Sequence, residues 1–163
     1  MLAALALAAA AAASPPPVRA AAVIETLLGW AVLGGEVTSD PPHSAPALPH
    51  RSCGGRFDPE HPPAAIYVSW QLSAEAQHAA CNWKYDVASR RAVALSTVEA
   101  KDAAQKILAG TIGPEERAFF HSVPPSGERM TVTAGYCWGS ASGTFEFRSG
   151  QLVLIGDLAL HGY

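Results

Sequence analysis

Cysteine and histidine are the residues of this chain whose spacing most suggests chemistry. The sequence holds three cysteines and six histidines, and two H-x-x-C pairs occur: His50 with Cys53, and His78 with Cys81. Thiolate and imidazole are the ligands that zinc prefers, and two such pairs supply the four ligands of a tetrahedral site. The pairs therefore raise the hypothesis of a zinc site. Because structural zinc sites usually contain paired cysteines, a protein without a metal or other cofactor is the favoured interpretation.

The same cysteines also predict a disulfide. In an exported protein, two of Cys53, Cys81 and Cys137 are expected to be oxidised, which leaves one thiol over. Cys81 and Cys137 both fall in a region that is predicted to be sheet, where rigid strands can hold two α-carbons at the distance that a disulfide requires. The sequence therefore favours the Cys81–Cys137 pair, worth about 2–4 kcal/mol of stability. Cys53 remains a possible partner for either.

No assembled catalytic motif is found in the sequence. It contains neither the G-x-x-x-x-G-K-[ST] phosphate loop nor G-x-G-x-x-G after a strand. Residues 139–143 read G-S-A-S-G, but a nucleophile elbow needs serine third, where Ala141 stands, so this stretch is predicted to be a loop between two strands. Asp157 and His161 stand four residues apart with no nucleophile to accompany them. We therefore expect a non-catalytic protein, with a small secreted hydrolase as an alternative.

Charge and aromatic content limit the class of partner. A net charge of -3 over 163 residues gives no electrostatic footprint for DNA or RNA, so no nucleic-acid partner is predicted. Most aromatic residues fall at strand positions, which predicts that they form the core. Aromatic residues that instead faced outward together would suit the binding of a sugar or a peptide.

The N-terminal segment predicts export. Residues 2–13 consist of leucine and alanine only, a run with the length of the apolar centre of a signal peptide but too short to span a bilayer. Ala11 and Ala13 form an A-x-A cleavage pattern, although no lysine or arginine precedes the run. Residues 1–13 are therefore predicted to be a signal peptide, and the mature protein to be periplasmic or secreted.

A second apolar segment, which the sequence indicates is helical, lies within residues 14–40. Residues 20–35 place apolar side chains on almost every face of a helix, and Glu25 stands among them. A carboxylate is costly inside a bilayer, so a helix buried against the domain or against a partner is favoured over a transmembrane helix. Membrane association through residues 20–35 is the alternative.

A proline-rich linker and then a folded domain are predicted to follow. Residues 41–63 contain 7 of the 13 prolines, which exclude both helix and central strand, so the domain is assigned to residues 64–163. Ser96 and Glu99 have the spacing of a capping box and start a helix over residues 96–110. Pro114 and the acidic residues after it predict a short second helix through Phe120. Period-two alternation predicts strands at residues 66–72, 83–87, 93–95, 130–138, 144–148 and, around a bulge at Gly156, 151–160.

These elements predict an α+β fold. The expected arrangement is a mostly antiparallel sheet of about five or six strands with one main helix, 96–110, packed on one face; a β-sandwich with a helical insertion is the alternative. The expected function is that of an exported, non-catalytic binding or structural module of a bacterial periplasm or cell envelope, whose partner is a protein or small ligand there. A metal-binding envelope protein that uses the two H-x-x-C pairs, and a small secreted hydrolase, are the alternatives.

Overall fold

A computed structural model describes residues 17–42, 60–71, 81–122, 129–137 and 139–162. In these residues the helices are α1 (Pro17–Leu33) and α2 (Thr97–Leu108), and a 3-10 turn spans Pro114–Glu116. The strands are β1 (Ser39–Asp40), β2 (Ala65–Gln71), β3 (Trp83–Asp86), β4 (Arg91–Ala94), β5 (Arg117–Ser122), β6 (Arg129–Tyr136), β7 (Gly139–Arg148) and β8 (Gln151–Gly162). Residues 43–59, most of the predicted linker, lie outside the described part.

All the described strands join one mixed sheet in the order β1-β8-β7-β6-β5-β2-β3-β4. Two antiparallel meanders, β2-β3-β4 and β5-β6-β7-β8, meet where β2 pairs in parallel with β5. The short strand β1 adds to β8, also in parallel. Parallel neighbours need a long crossover, and the connection from β2 to β5 runs through β3, β4 and α2.

The predicted fold class is wrong. The sheet has eight strands rather than five or six, it is mixed because β1–β8 and β2–β5 pair in parallel, and a single sheet also contradicts the β-sandwich alternative. Part of the error lies in β5, which the sequence assigned to a helix. Pro114–Glu116 do begin a helical turn, but it ends after three residues, and the next six alternate between buried and more exposed side chains as a strand does.

Helix α1 fills one face of the sheet. Most of its residues are buried, namely Ala20, Val23, Ile24, Leu27, Leu28, Trp30, Ala31 and Val32, whereas Glu25 and Thr26 are partly exposed. It contacts β3 and β4 near one edge of the sheet and β8 near the other. Gly34 ends the helix at a φ of +70°, a conformation that favours glycine. The segment that the sequence predicted to be a buried helix is therefore part of the same core as the sheet.

The main hydrophobic core lies between α1 and the sheet face that the helix covers. Ile66, Val68, Tyr85, Phe120, Val132, Phe145 and Leu154 from six strands pack there. The rings of Trp70 and Phe120 are in contact at a tilt of 36°, with centroids 5.3 Å apart, and the Trp70 indole donates a hydrogen bond to Ser122 Oγ at 3.0 Å. Among the described helices, none is long and apolar enough to cross a membrane.

Helix α2 lies on the opposite face, over β2. The predicted capping box is confirmed: the Glu99 amide donates to Ser96 Oγ at 3.2 Å, and the Ser96 amide donates to the Glu99 carboxylate at 2.8 Å. Ala103 of this helix packs with Cys81 and Ile112 in a second, small cluster. The main helix predicted from the sequence is thus present, but the larger core lies on the other side of the sheet.

In the β7–β8 hairpin, the predicted turn is confirmed and the predicted loop is wrong. Ser149 and Gly150 form its two-residue turn, with φ of 50° and 78°. Residues 139–143, predicted to be a loop, are part of β7. Gly143 has no room for a side chain, because its Cβ would lie 2.8 Å from a methyl of Leu158 in the core.

Candidate functional site

The structure describes only one of the four residues of the hypothetical zinc site. His50, Cys53 and His78 lie outside the described residues, so their placement is not tested. Cys81 is described, and its thiol is buried beneath α2. Within the described ranges, no group of three or more potential metal-binding side chains comes together. The zinc hypothesis stays a prediction.

The two cysteines that were predicted to pair lie on opposite faces of the sheet. Cys81 is a free thiol in the cluster under α2, whereas Cys137 packs against the core on the α1 side. Burial raises the pKa of the Cys81 thiol, and the nearby guanidinium of Arg117 only partly opposes this. Because Cys81 is a free thiol, the structure does not contain the predicted Cys81–Cys137 bond.

The most distinctive surface of the described residues is the face of β5, β6 and β7 that points away from α1. We call it the hydroxyl face and define it by Phe119, His121, Thr131, Thr133, Gly135, Ser140, Ser142 and Thr144. The alternate residues of these strands belong to the core around α1, so strand geometry turns this set to the other side. The pairing register aligns it in rows: Phe119, Gly135 and Ser140 form one row, and His121, Thr133 and Ser142 form the next.

Hydroxyl groups on the hydroxyl face pair across the strands. Thr131 Oγ1 lies 3.0 Å from Thr144 Oγ1, and Thr133 Oγ1 lies 2.9 Å from Ser142 Oγ. A hydroxyl has one donor and two acceptor sites, and each pair uses only one donor and one acceptor. Each pair therefore keeps one O–H donor and several acceptor sites for a ligand, and the mutual hydrogen bond holds the side chains in place.

Phe119 supplies an aromatic surface at the edge of these rows. Its side chain is 54% exposed, which is unusual for a large apolar residue in the middle of a sheet. Its cross-strand neighbour is Gly135, which has no side chain to cover the ring. The arrangement leaves one face or edge of the ring accessible next to polar groups.

Charged groups lie only at the two ends of the hydroxyl face. At one end, Glu146 accepts hydrogen bonds from Arg148 at 3.0 Å and from Arg129 at 3.2 Å, and these lower the pKa of its carboxyl. At the other end, Arg117 begins β5, with its Nε buried and without a hydrogen-bond partner among the described residues. The rows in between hold no lysine, arginine, aspartate or glutamate, so the middle of this face suits a neutral ligand.

Sequence reasoning missed this face for two reasons. Phe119 was assigned to a short helix, and residues 139–143 to a loop, so neither set was placed on a strand. The signal was present in the alternating T-V-T of β6 and S-A-S-G-T of β7, which put a hydroxyl at every second residue. Asp157 and His161, which the sequence analysis set aside as a catalytic pair, are both exposed on β8.

Comparison with known proteins assigns the chain neither a family nor a function. No protein-family model, no curated protein and no solved structure matches the chain.

Proposed function

We propose that this protein is an exported, non-catalytic binding module of the cell envelope, and that it binds a neutral glycan on its hydroxyl face. The observation that carries the proposal is the exposed ring of Phe119 beside the rows of paired hydroxyls on β6 and β7. A sugar ring has an apolar C–H face and a rim of hydroxyls that both donate and accept hydrogen bonds. An aromatic surface next to serine and threonine hydroxyls complements both parts.

The position of the hydroxyl face within the sheet favours a glycan over a peptide that adds as a strand. Strand addition needs an open sheet edge with free backbone groups. The strands β5, β6 and β7 each have a neighbour on both sides, so their backbone groups are already paired within the sheet. Only side chains face a ligand there, and apart from Phe119, His121 and Gly135 they are serine and threonine hydroxyls.

The feature that supports export is the leucine-alanine run of residues 2–13 with its A-x-A pattern, which has the length of the apolar centre of a signal peptide.

We expect Phe119→Ala to weaken glycan binding by about tenfold, since removing an aromatic contact costs about 1–2 kcal/mol in many interfaces. The measurement is co-sedimentation with insoluble chitin, with cellulose and with murein glycan strands freed of their peptides. The matched control is Leu108→Ala, which truncates a side chain that is 89% exposed on α2, on a different element. The control should bind like the unchanged protein.

Two results would contradict the proposal. One is that the unchanged protein sediments with none of the three glycans. The other is that Phe119→Ala binds as tightly as the unchanged protein, which would place the site elsewhere. If an immobilised peptide library captures the protein and the glycans do not, the ligand is a peptide and the glycan assignment is wrong.

A further inference from the structure

We infer that the sheet edge at β4 is a self-association surface that Glu25 of α1 keeps closed, and that β4 pairs with β4 of a second copy of this chain when the Glu25 carboxylate is removed. Among the described strands, β4 is the last of the sheet at this edge, and β3 is its one neighbour. The other side of β4 therefore presents backbone groups that a further strand can bind.

The backbone groups of β4 point alternately toward β3 and away from it. The Leu95 amide, one residue after β4, donates a hydrogen bond of 2.9 Å to the carbonyl oxygen of Asn82, one residue before β3. Every second residue of an antiparallel strand points its N–H and C=O groups the same way, so those of Val93 also face β3. Ala92 and Ala94 therefore direct their N–H and C=O groups outward from the edge.

One of these outward groups is already bound by α1. The Ala92 amide donates to Glu25 Oε1 at 2.9 Å, so a carboxylate oxygen stands where the carbonyl oxygen of a further strand would stand. The side chain of Glu25 is 25% exposed, and the Nε atom of Arg91 lies 3.7 Å from the same oxygen. Glu25 is the one acidic residue of α1. Its hydrogen bond to β4 accounts for a carboxylate within this apolar segment.

A second copy of β4 is the partner whose geometry fits this edge. Strands related by a two-fold axis pair in antiparallel fashion, and an axis beside Val93 sets Ala92 of each copy opposite Ala94 of the other. Each of these two pairs exchanges two backbone hydrogen bonds, so every outward donor and acceptor finds a partner. Val93, which is 56% exposed, meets Val93 of the second copy across the axis and buries part of its apolar surface.

Charge placement is compatible with the same register. Arg91 of each copy stands opposite Leu95 of the other, so the two arginines do not face each other. Like charges that are directly opposite each other on paired strands are destabilising, and this register avoids them. The paired strands themselves consist of small and apolar side chains at Ala92, Val93 and Ala94.

The Glu25 carboxylate prevents this pairing. Two of the four hydrogen bonds between the copies use the Ala92 amides, and Glu25 occupies both of these donors. A carbonyl oxygen that approached Ala92 would also come close to the carboxylate, and two acceptors cannot share one backbone proton without weakening both contacts. A charged group at an edge strand is a common protection against pairing with another chain. The unchanged protein is therefore expected to be monomeric.

Size-exclusion chromatography with light scattering on the full chain tests the inference. Glu25→Ala frees the Ala92 amide, so its molar mass should double relative to the unchanged protein. Glu25→Gln should stay monomeric, because its side-chain carbonyl still accepts the hydrogen bond from Ala92. Adding Ala94→Pro to Glu25→Ala should restore the monomer, since proline removes an outward amide that β3 does not use. The matched control Glu36→Ala removes an exposed acid just beyond α1 and should remain monomeric.

A folded Glu25→Ala variant that stays monomeric would overturn the inference, and so would a dimer of the unchanged protein or of Glu25→Gln. A dimer that persists after Ala94→Pro would place the contact on another surface and would overturn it as well. If Glu25→Ala fails to fold, Glu25→Leu takes its place, because leucine fills the space in α1 and likewise accepts no hydrogen bond.

Amide hydrogen exchange of the unchanged protein provides an independent measurement. The Ala92 amide should be protected by Glu25, whereas the Ala94 amide should exchange freely. Equal exchange at the two amides would mean that Glu25 does not close the edge in the way described. Both measurements are independent of the glycan proposal, because no ligand is used and the hydroxyl face is unchanged in every variant.

Discussion

A chain that begins at residue 64 is expected not to fold, although it contains every residue of the domain that the sequence assigned to 64–163. Such a chain lacks α1 and its eight buried apolar residues. Full burial of one large aliphatic side chain contributes about 1.5–3 kcal/mol. The loss of five such side chains, about 7.5–15 kcal/mol, is as large as the total stability of about 5–15 kcal/mol that is typical of a small domain. The sheet would also expose the apolar face that α1 covers.

Thermal unfolding followed by circular dichroism, with binding of a hydrophobic dye, measures this effect. The shortened chain should show no cooperative transition and should bind the dye. A chain that begins at Ser14 is the matched control, because it removes the predicted signal peptide and keeps α1 whole, and it should unfold like the full chain. Cooperative unfolding of the 64–163 chain would contradict the role that we give to α1.

A pair of single substitutions separates the packing of α1 from other effects of shortening the chain. Leu28 is 1% exposed in the core, whereas Leu108 is 89% exposed on α2. We expect Leu28→Ala to lower the free energy of unfolding by about 2–5 kcal/mol, as large-to-small core substitutions do, and Leu108→Ala to change it little. Equal effects of the two substitutions would show that α1 does not pack as described.

The position of α1 in the core also limits where a signal peptide could be cleaved without damage to the fold. Cleavage after Ala13 leaves the helix complete, since α1 begins at Pro17. Cleavage after Ala20 or Ala22 would remove its first turn and the buried side chain of Ala20. Of these positions, the first therefore costs the folded domain least.

Local patterns in the sequence predicted most of the individual elements. Ser96 and Glu99 identified the start of α2, and Ser149 and Gly150 identified the β7–β8 turn, because both signals depend on neighbouring residues alone. The alternation of apolar residues likewise identified β2, β3, β4 and β6 to within a few residues. Local backbone preferences and side-chain hydrogen bonds decide these features, and the sequence displays them directly.

The features that the sequence did not predict depend on pairing between strands that are far apart in the chain. Strand β1 has two residues and exists because it pairs with β8, which no local pattern reveals. Strand β5 follows helix-starting residues and becomes a strand because β2 and β6 pair with it on both sides. Since the hydroxyl face combines residues of β5, β6 and β7, it becomes visible only when this pairing is known. The same holds for Cys81 and Cys137, whose placement on opposite faces depends on the whole sheet.

Two tyrosines of the core are expected to respond to the same substitution with opposite signs. Tyr85 is fully buried, and its hydroxyl has no hydrogen-bond partner among the described residues. Burial is also the main cause that raises the pKa of this phenol. The hydroxyl of Tyr136, in contrast, donates a hydrogen bond of 2.6 Å to the carbonyl oxygen of Glu115. The two side chains thus differ in whether the hydroxyl forms a hydrogen bond among the described residues.

We expect Tyr85→Phe to raise the free energy of unfolding by about 1–2 kcal/mol, because it removes a buried polar group that forms no hydrogen bond. We expect Tyr136→Phe to lower it by about 1–2 kcal/mol, because it removes a hydrogen bond and leaves a carbonyl oxygen without that donor. Urea unfolding of both variants and of the unchanged protein measures the two differences, provided that the m-values agree. A loss of stability in Tyr85→Phe as large as that in Tyr136→Phe would mean that the Tyr85 hydroxyl is hydrogen-bonded in solution, and that the core between α1 and β3 contains a polar partner, such as an ordered water, beside Gly29.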